Sequence, residues 1–275
     1  GNSIVVATEK GKKIGSIEVD ISSLDRTSIM HLIRSLYQLG YDEIRLLFNK
    51  QSTIYFRAGK QIPILSVIQT EVNRLTGMEV ISHKEDSCVV KSLSEISFEE
   101  FEPVLRRIFL MLKDLGEDLI RGAETKDRHL LETIEVKHDV ITKFISFCLR
   151  LLNKKGYTDN LRTLKMHHIV AILDNVLDTM KTTSRYILKL KPKFSKETIT
   201  LMKNITNLFT EYYEIFYKYE HKKAKAITEV RDTVIKRVKT VKETASKEEL
   251  IIVMSLTPLI DHLTTALQQR MGLEH

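Results

Sequence analysis

The chain has 275 residues, of which 43% are hydrophobic and 29% are charged, while only 10 are glycine and 4 are proline. This composition favours an ordered, mostly helical globular protein over a disordered chain. The formal net charge of +7 predicts contact with an acidic surface, which nucleic acid, an acidic protein or a phosphate-rich ligand would each provide.

The cysteine content and the apolar runs narrow the protein class further. Cys88 and Cys148 are the only cysteines, and neither belongs to a Cys-x-x-Cys pair. A disulfide framework or structural zinc site is therefore not expected, and a reducing cytoplasm is the predicted location. Apolar runs fall short of the roughly 18 residues that a membrane-spanning helix needs, so no membrane insertion is predicted. Residues 273–275 resemble the remnant of a histidine purification tag.

Residues 15–95 combine short β-branched segments with two amphipathic ones. The apolar periodicity predicts helices over 28–39 and 62–75, ended by Gly40 and Gly77, with Asp25 as the N-cap of the first. Strands are predicted over 16–21, 42–48, 53–56, 78–82 and 88–91. The order of these elements predicts a small α+β sandwich, with both helices on one face of a mainly antiparallel sheet.

From residue 97 onward the apolar residues follow the helical period. Ser97 and Ser246 are predicted N-caps, each followed three residues later by a glutamate, and Gly156 and Pro192 follow predicted helix ends. Six helices are predicted, over about 97–124, 126–153, 157–190, 195–219, 221–244 and 246–271. Short connections predict that they pack as two tandem three-helix bundles, 97–191 and 193–271.

Pairs of carboxylates four residues apart occur in two successive predicted helices, as Glu135 with Asp139 and as Asp174 with Asp178. Residues i and i+4 lie on one face of a helix, so four carboxylates can converge between the two helices. Proteins that bring like charges this close usually do so around a cation. A solvated acidic face remains the alternative, because such pairs are common on exposed helices. His138 is expected to flank this site rather than join it.

An internal repeat links the two predicted bundles. Residues 173–178 read Leu-Asp-Asn-Val-Leu-Asp, and residues 256–261 read Leu-Thr-Pro-Leu-Ile-Asp. Thr257 stands where the first acid of the motif would be. The two bundles are therefore predicted to be copies, of which the second has lost an acid.

These motifs resemble those of the PhoU family of phosphate-signalling proteins. The matching stretches are 105–109, 135–139, 174–178 and Asp261-His262, and segments 32–44 and 77–81 resemble the α/β region that precedes the bundles in archaeal members. The resemblance implies a mainly α fold, with two tandem three-helix bundles preceded by a small α+β sandwich domain. It also implies a cytoplasmic, usually dimeric regulator of phosphate uptake, which works with a phosphate ABC transporter and its ATPase.

The resemblance further implies metal ions, iron or zinc, held by the repeated acids. Carried over residue by residue, the ligands of the first half are Glu135, Asp139, Asp174 and Asp178. Those of the second half are Asp232, Asp261 and His262. Because Thr257 replaces an acid, a metal in the second half would be weaker, differently ligated or absent.

A DNA-binding transcriptional regulator with PhoU-like sensing bundles is the second hypothesis. Residues 1–6 resemble the opening of an AbrB-like DNA-binding segment, although the rest of that pattern does not follow within residues 1–14. A basic cluster over 218–242 would bind DNA or an acidic partner, or is a solvated helix hairpin. The aromatic residues of 212–219 are predicted to form bundle core or a dimer interface rather than a base-stacking surface.

Catalytic motifs are missing from the sequence. It contains no Gly-x-Ser-x-Gly, no glycine-rich phosphate loop and no His-Glu-x-x-His, and we predict that the chain is not an enzyme. The enzyme alternative is a di-iron carboxylate protein, which also builds its site from helical acids. We rank it low because such sites need inward-facing Glu-x-x-His pairs, and we expect none at the acid motifs.

Overall fold

The computed structural model describes residues 15–274, and these divide into two compact units. The first comprises 15–104 and 146–163, and the second comprises 105–145 and 164–274. The AbrB-like opening and the last residue of the tag-like terminus lie outside the described residues. The predicted mainly α fold with a small α+β region is confirmed.

The first unit contains two helices and a β-sheet of which one face is buried. Its elements are β1 Ser16–Asp20, α1 Arg26–Leu39, β2 Glu43–Leu47, β3 Ser52–Tyr55, β4 Lys60–Pro63, α2 Ile64–Val72, β5 Met78–His83 and β6 Ser87–Ser92. The sheet order is β1-β2-β6-β5, in which β1 and β2 are parallel and the other pairs antiparallel. Strands β3 and β4 form a separate hairpin. The sequence prediction missed β4 and assigned Ile62 to the following helix.

Apolar and charged side chains alternate along the strands, and this alternation determines which face of the sheet is buried. Ile44 and Leu46 of β2 pair with Val90 and Cys88 of β6, and all four are buried in one core with residues of α1 and α2. The opposite face carries charges, including a 3.7 Å contact between Arg45 and Glu18 across the parallel pair. The predicted caps of α1 are confirmed: Asp25 accepts from two backbone N–H groups, and Gly40 ends the helix at φ 102°.

The first unit also includes the tip of a helical hairpin. Arg150 lies near the end of α4 (Arg128–Lys154) and is only 1% exposed. Its guanidinium donates at 2.8 Å to the carbonyl oxygens of Tyr37 and Tyr41 and at 2.6 Å to Asp42. Asn153 donates at 2.8 Å to the carbonyl of Gln38. Donors on α4 therefore reach carbonyls at the C-terminal end of α1 and just beyond it, of which the Tyr37 carbonyl also accepts from the Gly40 N–H at 2.9 Å.

The remaining elements are long helices. They are α3 Phe101–Thr125, α4, α5 Asn160–Leu190, α6 Lys196–Tyr217, α7 His221–Thr244, α8 Lys247–Leu256 and α9 Pro258–Met271. The predicted sixth helix is thus two helices, because Pro258 has no N–H to continue the hydrogen-bond ladder of α8. The capping box of Ser246 with Glu249 is confirmed. Ser97 caps a short 3-10 turn through the Glu99 N–H, instead of a box with Glu100.

Aromatic packing joins α3 to α6 within the second unit. The ring centroid of Phe109 lies 4.7 Å from that of Phe216 and 5.9 Å from that of Phe209. Tyr212 is fully buried, and Phe216 is 8% exposed. The predicted role of this aromatic run in packing is therefore confirmed.

Residues Lys247–Met271 are long and apolar enough, by length and composition, to cross a membrane. A core helix of a soluble protein passes the same test. Here the apolar side chains pack into the second unit, where Ile252, Val253, Leu256 and Leu259 are fully buried.

Candidate functional site

The four acids of the first-half motif lie on α4 and α5, which also supply buried apolar residues on their other faces. Glu135 and Asp139 stand one turn apart on α4, and Asp174 and Asp178 stand one turn apart on α5. Leu173, Val176 and Leu177 alternate with the α5 acids and are fully buried. The apolar stripe therefore fixes which way the motif faces, and we call Glu135, Asp139, Asp174 and Asp178 the acidic face.

His138 joins the two helices across the acidic face. Its Nε2 lies 3.0 Å from Asp178 Oδ1, its Nδ1 lies 3.4 Å from Asp139 Oδ1, and the residue is 9% exposed. The expectation that His138 only flanks the site is wrong. Positions i+3 and i+4 each neighbour position i on a helix surface, so His138 lies beside Glu135 as Asp139 does.

A lysine ammonium lies inside the acidic face. Lys181 donates to Asp178 Oδ1 at 2.5 Å, and its Nζ lies 2.8 Å from His138 Nε2. His138 Nε2 thus lies within hydrogen-bond distance of both Asp178 and Lys181: it donates to Asp178 when it is protonated and accepts from Lys181 when it is not. Sequence reasoning missed Lys181, although its i+3 spacing from Asp178 is the signal that predicts an ion pair on a helix.

Glu135 has a cationic partner of its own. Arg185 of α5 reaches it with two guanidinium nitrogens, and the Nε contact to Oε2 measures 2.9 Å. This fork geometry is the strong form of a charge-assisted hydrogen bond. Arg185 also was not predicted. It lies one turn beyond Lys181 on α5, so both cations continue the row begun by Asp174 and Asp178.

The neighbouring cations keep the carboxylates ionised. The hydrogen bond from His138, opposed by burial and aided by Lys181, holds the pKa of the Asp178 carboxyl well below its usual range. Burial opposes ionisation of Glu135, but the Arg185 hydrogen bond and charge, with Lys181 and His138, hold the pKa of that carboxyl below its ordinary value. Both side chains are therefore negatively charged carboxylates near neutral pH.

The side chains of the acidic face and His138 are of the chemical types that bind divalent transition metals. Carboxylate oxygen and imidazole nitrogen are ligands of iron and zinc, and Asp178 and His138 already point at a common cation. Within residues 15–274 no three Asp, Glu, His or Cys side chains are gathered closely enough to form a ligand group. A metal at this position would take the place of the Lys181 ammonium, because both would use the same two donors.

The motif spacing also bears on the di-iron alternative. The expectation that the acid motifs contain no Glu-x-x-His pair is wrong, because Glu135 and His138 form one. The corresponding positions on α5 are Asp178 and Lys181, so a lysine stands where the second histidine of a di-iron site would be. Glu135 is about half exposed and bound to Arg185 instead of facing a bundle core.

The three ligands predicted for the second half, Asp232, Asp261 and His262, are more dispersed than those of the acidic face. Asp232 of α7 accepts from Arg231, its neighbour in sequence, at 2.8 Å. Asp261 and His262 lie in the first turns of α9, and burial lowers the pKa of His262 while Asp261 opposes that shift. In the described part of the chain, no hydrogen bond or ion pair joins Asp232 to either of them. His262 instead lines, together with Asp178, an open cavity of about 410 Å³ between α5 and the α8–α9 region.

Comparison with known proteins relates this architecture to one solved structure. The crystal structure of the phosphate transport system regulatory protein PhoU from Streptococcus pneumoniae matches with a TM-score of 0.52 and 17% sequence identity. The match covers 64% of this chain and 94% of that chain. No protein-family model matches the sequence. No curated protein matches it either. The chain therefore has a PhoU-like fold.

Proposed function

We propose that this chain is a regulator of phosphate transport of the archaeal PhoU type, in which an α/β domain precedes the bundles. It acts in the cytoplasm by binding partner proteins, not by catalysis. The fold likeness to a phosphate transport system regulatory protein supports the class of function. The observation that carries the proposal is the placement of both first-half acid pairs on α4 and α5, where Asp178 and His138 converge on one cation.

In this proposal the acidic face binds iron or zinc. Glu135, Asp139, Asp174 and Asp178, with His138, would hold the ion in the first half, and Asp232, Asp261 and His262 would hold a second, weaker one. A bound metal supplies positive charge and exchangeable coordination positions, to which phosphate or an acidic group of a partner can bind. Lys181 supplies the positive charge when the metal is absent.

The proposed partner is a phosphate ABC transporter or its ATPase subunit, and the proposed assembly is a homodimer. The test is binding of the full chain to that ATPase subunit from the same source, measured by biolayer interferometry with and without added zinc. We expect binding that weakens when Asp174→Ala and Asp178→Ala are combined. The charge-matched control is Asp114→Ala with Glu117→Ala, two exposed acids of α3. Equal binding by both double variants would remove the acidic face from the mechanism.

One observation favours the second hypothesis, DNA binding. The solvent-exposed side of α7 carries Lys222, Lys236, Arg237 and Lys239, and none of these has an ion-pair partner among the described residues. Such a row of cations predicts duplex binding whose affinity falls steeply with salt. Fluorescence anisotropy with a random-sequence duplex between low and physiological salt tests this. A duplex affinity that does not change with salt concentration would eliminate DNA binding and leave α7 as a surface for an acidic protein partner.

A further inference from the structure

A second site lies within the second unit, where α3 and α5 end and α4 begins. The end of α3, the start of α4, the end of α5 and the segment before α6 enclose a cavity of about 370 Å³. Its apolar wall includes Ala123, Leu131 and Ile187, which are 3 to 5% exposed, and the half-buried ring of Phe194. A cavity of this size and lining is that of a small-molecule site.

The charged residues that line this cavity are all cationic. They are Lys126, Arg128, Lys191 and Lys193, and no aspartate or glutamate is among the described lining residues. Arg128 is paired with Glu132 at 2.7 Å. The three lysines have no hydrogen bond or ion pair with any described side chain. We call this site the basic cavity.

The backbone presents two of these lysines in an unusual conformation. Lys126 follows α3 at φ 56° and Lys191 follows α5 at φ 49°, both in the left-handed region that disfavours a residue with a Cβ atom. Cations at helix C-termini also interact favourably with the helix dipole. That interaction accounts for Lys126 and Lys191. It does not account for Lys193, which lies beyond the last turn, or for the apolar wall.

A neighbouring cavity extends the positive surface. It has a volume of about 450 Å³, shares Ala123, Lys126 and Phe194 with the basic cavity, and adds Lys196 and Lys203. Lys203 is paired with Glu124 at 2.5 Å, whereas the Lys196 ammonium has no ion-pair partner among the described residues. Apolar surface and positive charge therefore continue from the basic cavity into its neighbour.

We propose that the basic cavity binds a nucleoside di- or triphosphate. The base would occupy the apolar cavity against the Phe194 ring, and the phosphates would bind Lys126, Lys191 and Lys193. A single carboxylate, as in a fatty acid, would neutralise only one of three unpaired lysines, whereas a di- or triphosphate balances all of them. Inorganic polyphosphate would satisfy the charge but leave the apolar wall exposed to water.

The test is isothermal titration calorimetry of the full chain with ATP in a buffer that contains EDTA, so that metal on the acidic face cannot recruit the phosphates. We expect saturable ATP binding, with AMP and tripolyphosphate each weaker by about tenfold or more. Lys191→Ala combined with Lys193→Ala should weaken ATP binding by about tenfold, while Lys189→Ala, an exposed lysine on the same helix, should not. Ala123→Leu should block the apolar part without changing the charge.

Several results would overturn the proposal. Absence of ATP binding in a chain with normal helix content would do so, as would tripolyphosphate binding as tightly as ATP, which would mean a basic patch without base recognition. Laurate binding more tightly than ATP would make the site one for fatty acids. If Ala123→Leu unfolds the chain, the lysine double variant carries the test. Metal content of the acidic face should be the same in all these variants, so failure here leaves the proposed regulatory function untouched.

Discussion

Lys181 and Asp178, three residues apart on α5, form a 2.5 Å ion pair at the centre of the acidic face. The same ammonium lies 2.8 Å from the imidazole Nε2 of His138 on α4. A metal ion that used these donors would compete with a cation that is covalently tethered at the site. In the proposed metal site, the affinity for metal would therefore be reduced by the free energy needed to displace Lys181.

The first prediction concerns this competition. Replacing Lys181 by methionine keeps the aliphatic stem and removes the charge, so the affinity for Zn²⁺ should rise by about tenfold or more. Titration calorimetry with ZnCl₂ measures the change, with Lys189→Met as the control on an exposed part of the same helix. An unchanged or lower zinc affinity in Lys181→Met would show that the ammonium is not the competing cation.

The second prediction concerns pH. The pKa of Asp178 is lower in the folded chain than in the unfolded chain, because His138 and Lys181 stabilise the carboxylate. Its contribution to stability is thus present above the ordinary aspartate pKa and is lost as the pH falls below about 4. Because the carboxylate is half exposed, the contribution is below about 1 kcal/mol.

Urea denaturation of the wild type and Asp178→Asn at several pH values tests this sign. The variant should be less stable near pH 7, and the two curves should approach each other in acid. Asp114→Asn, which changes an exposed aspartate of α3, should show no such convergence. A stability gap that widens below pH 4 would contradict the lowered pKa.

The third prediction concerns Arg150. Its replacement by methionine removes a donor from the carbonyl of Tyr37, which keeps only the Gly40 N–H, and from the partly buried carbonyl of Tyr41, and it removes one of the two cations that contact Asp42. The expected loss is about 3 kcal/mol of unfolding free energy. Chemical denaturation measures it, with exposed Lys155→Met as the control. A loss no larger than that of the control would mean that other donors replace the guanidinium.

Local signals in the sequence predicted much of the fold. Asp25, Gly40 and the pair Ser246–Glu249 act as predicted because capping depends on neighbouring residues alone. Proline cannot continue a helix, so Pro258 was a local signal for the break after Thr257. The apolar periodicity on both sides nevertheless led to the prediction of one continuous helix. Strand β4 could not be identified in this way, because its four residues depend on pairing with β3.

The candidate site was predicted in part. The four acids of the acidic face follow from i, i+4 spacing, and the structure places both pairs on α4 and α5. His138 was expected only to flank the site and Lys181 was not predicted, although each stands three residues after an acid of the motif. Arg150 could not be assigned from sequence, since its partners lie more than 100 residues away and only the folded chain brings them to it.

The most direct test of the acidic face is elemental analysis of the protein purified without chelators. We predict near-stoichiometric iron or zinc in the wild type and in the Asp114→Ala, Glu117→Ala control. That metal should be lost when Asp174→Ala and Asp178→Ala are combined, with helix content by circular dichroism unchanged. Equal metal content in all three proteins, or no metal in any of them after incubation with iron and zinc salts, would contradict the assignment of the acidic face as a metal site.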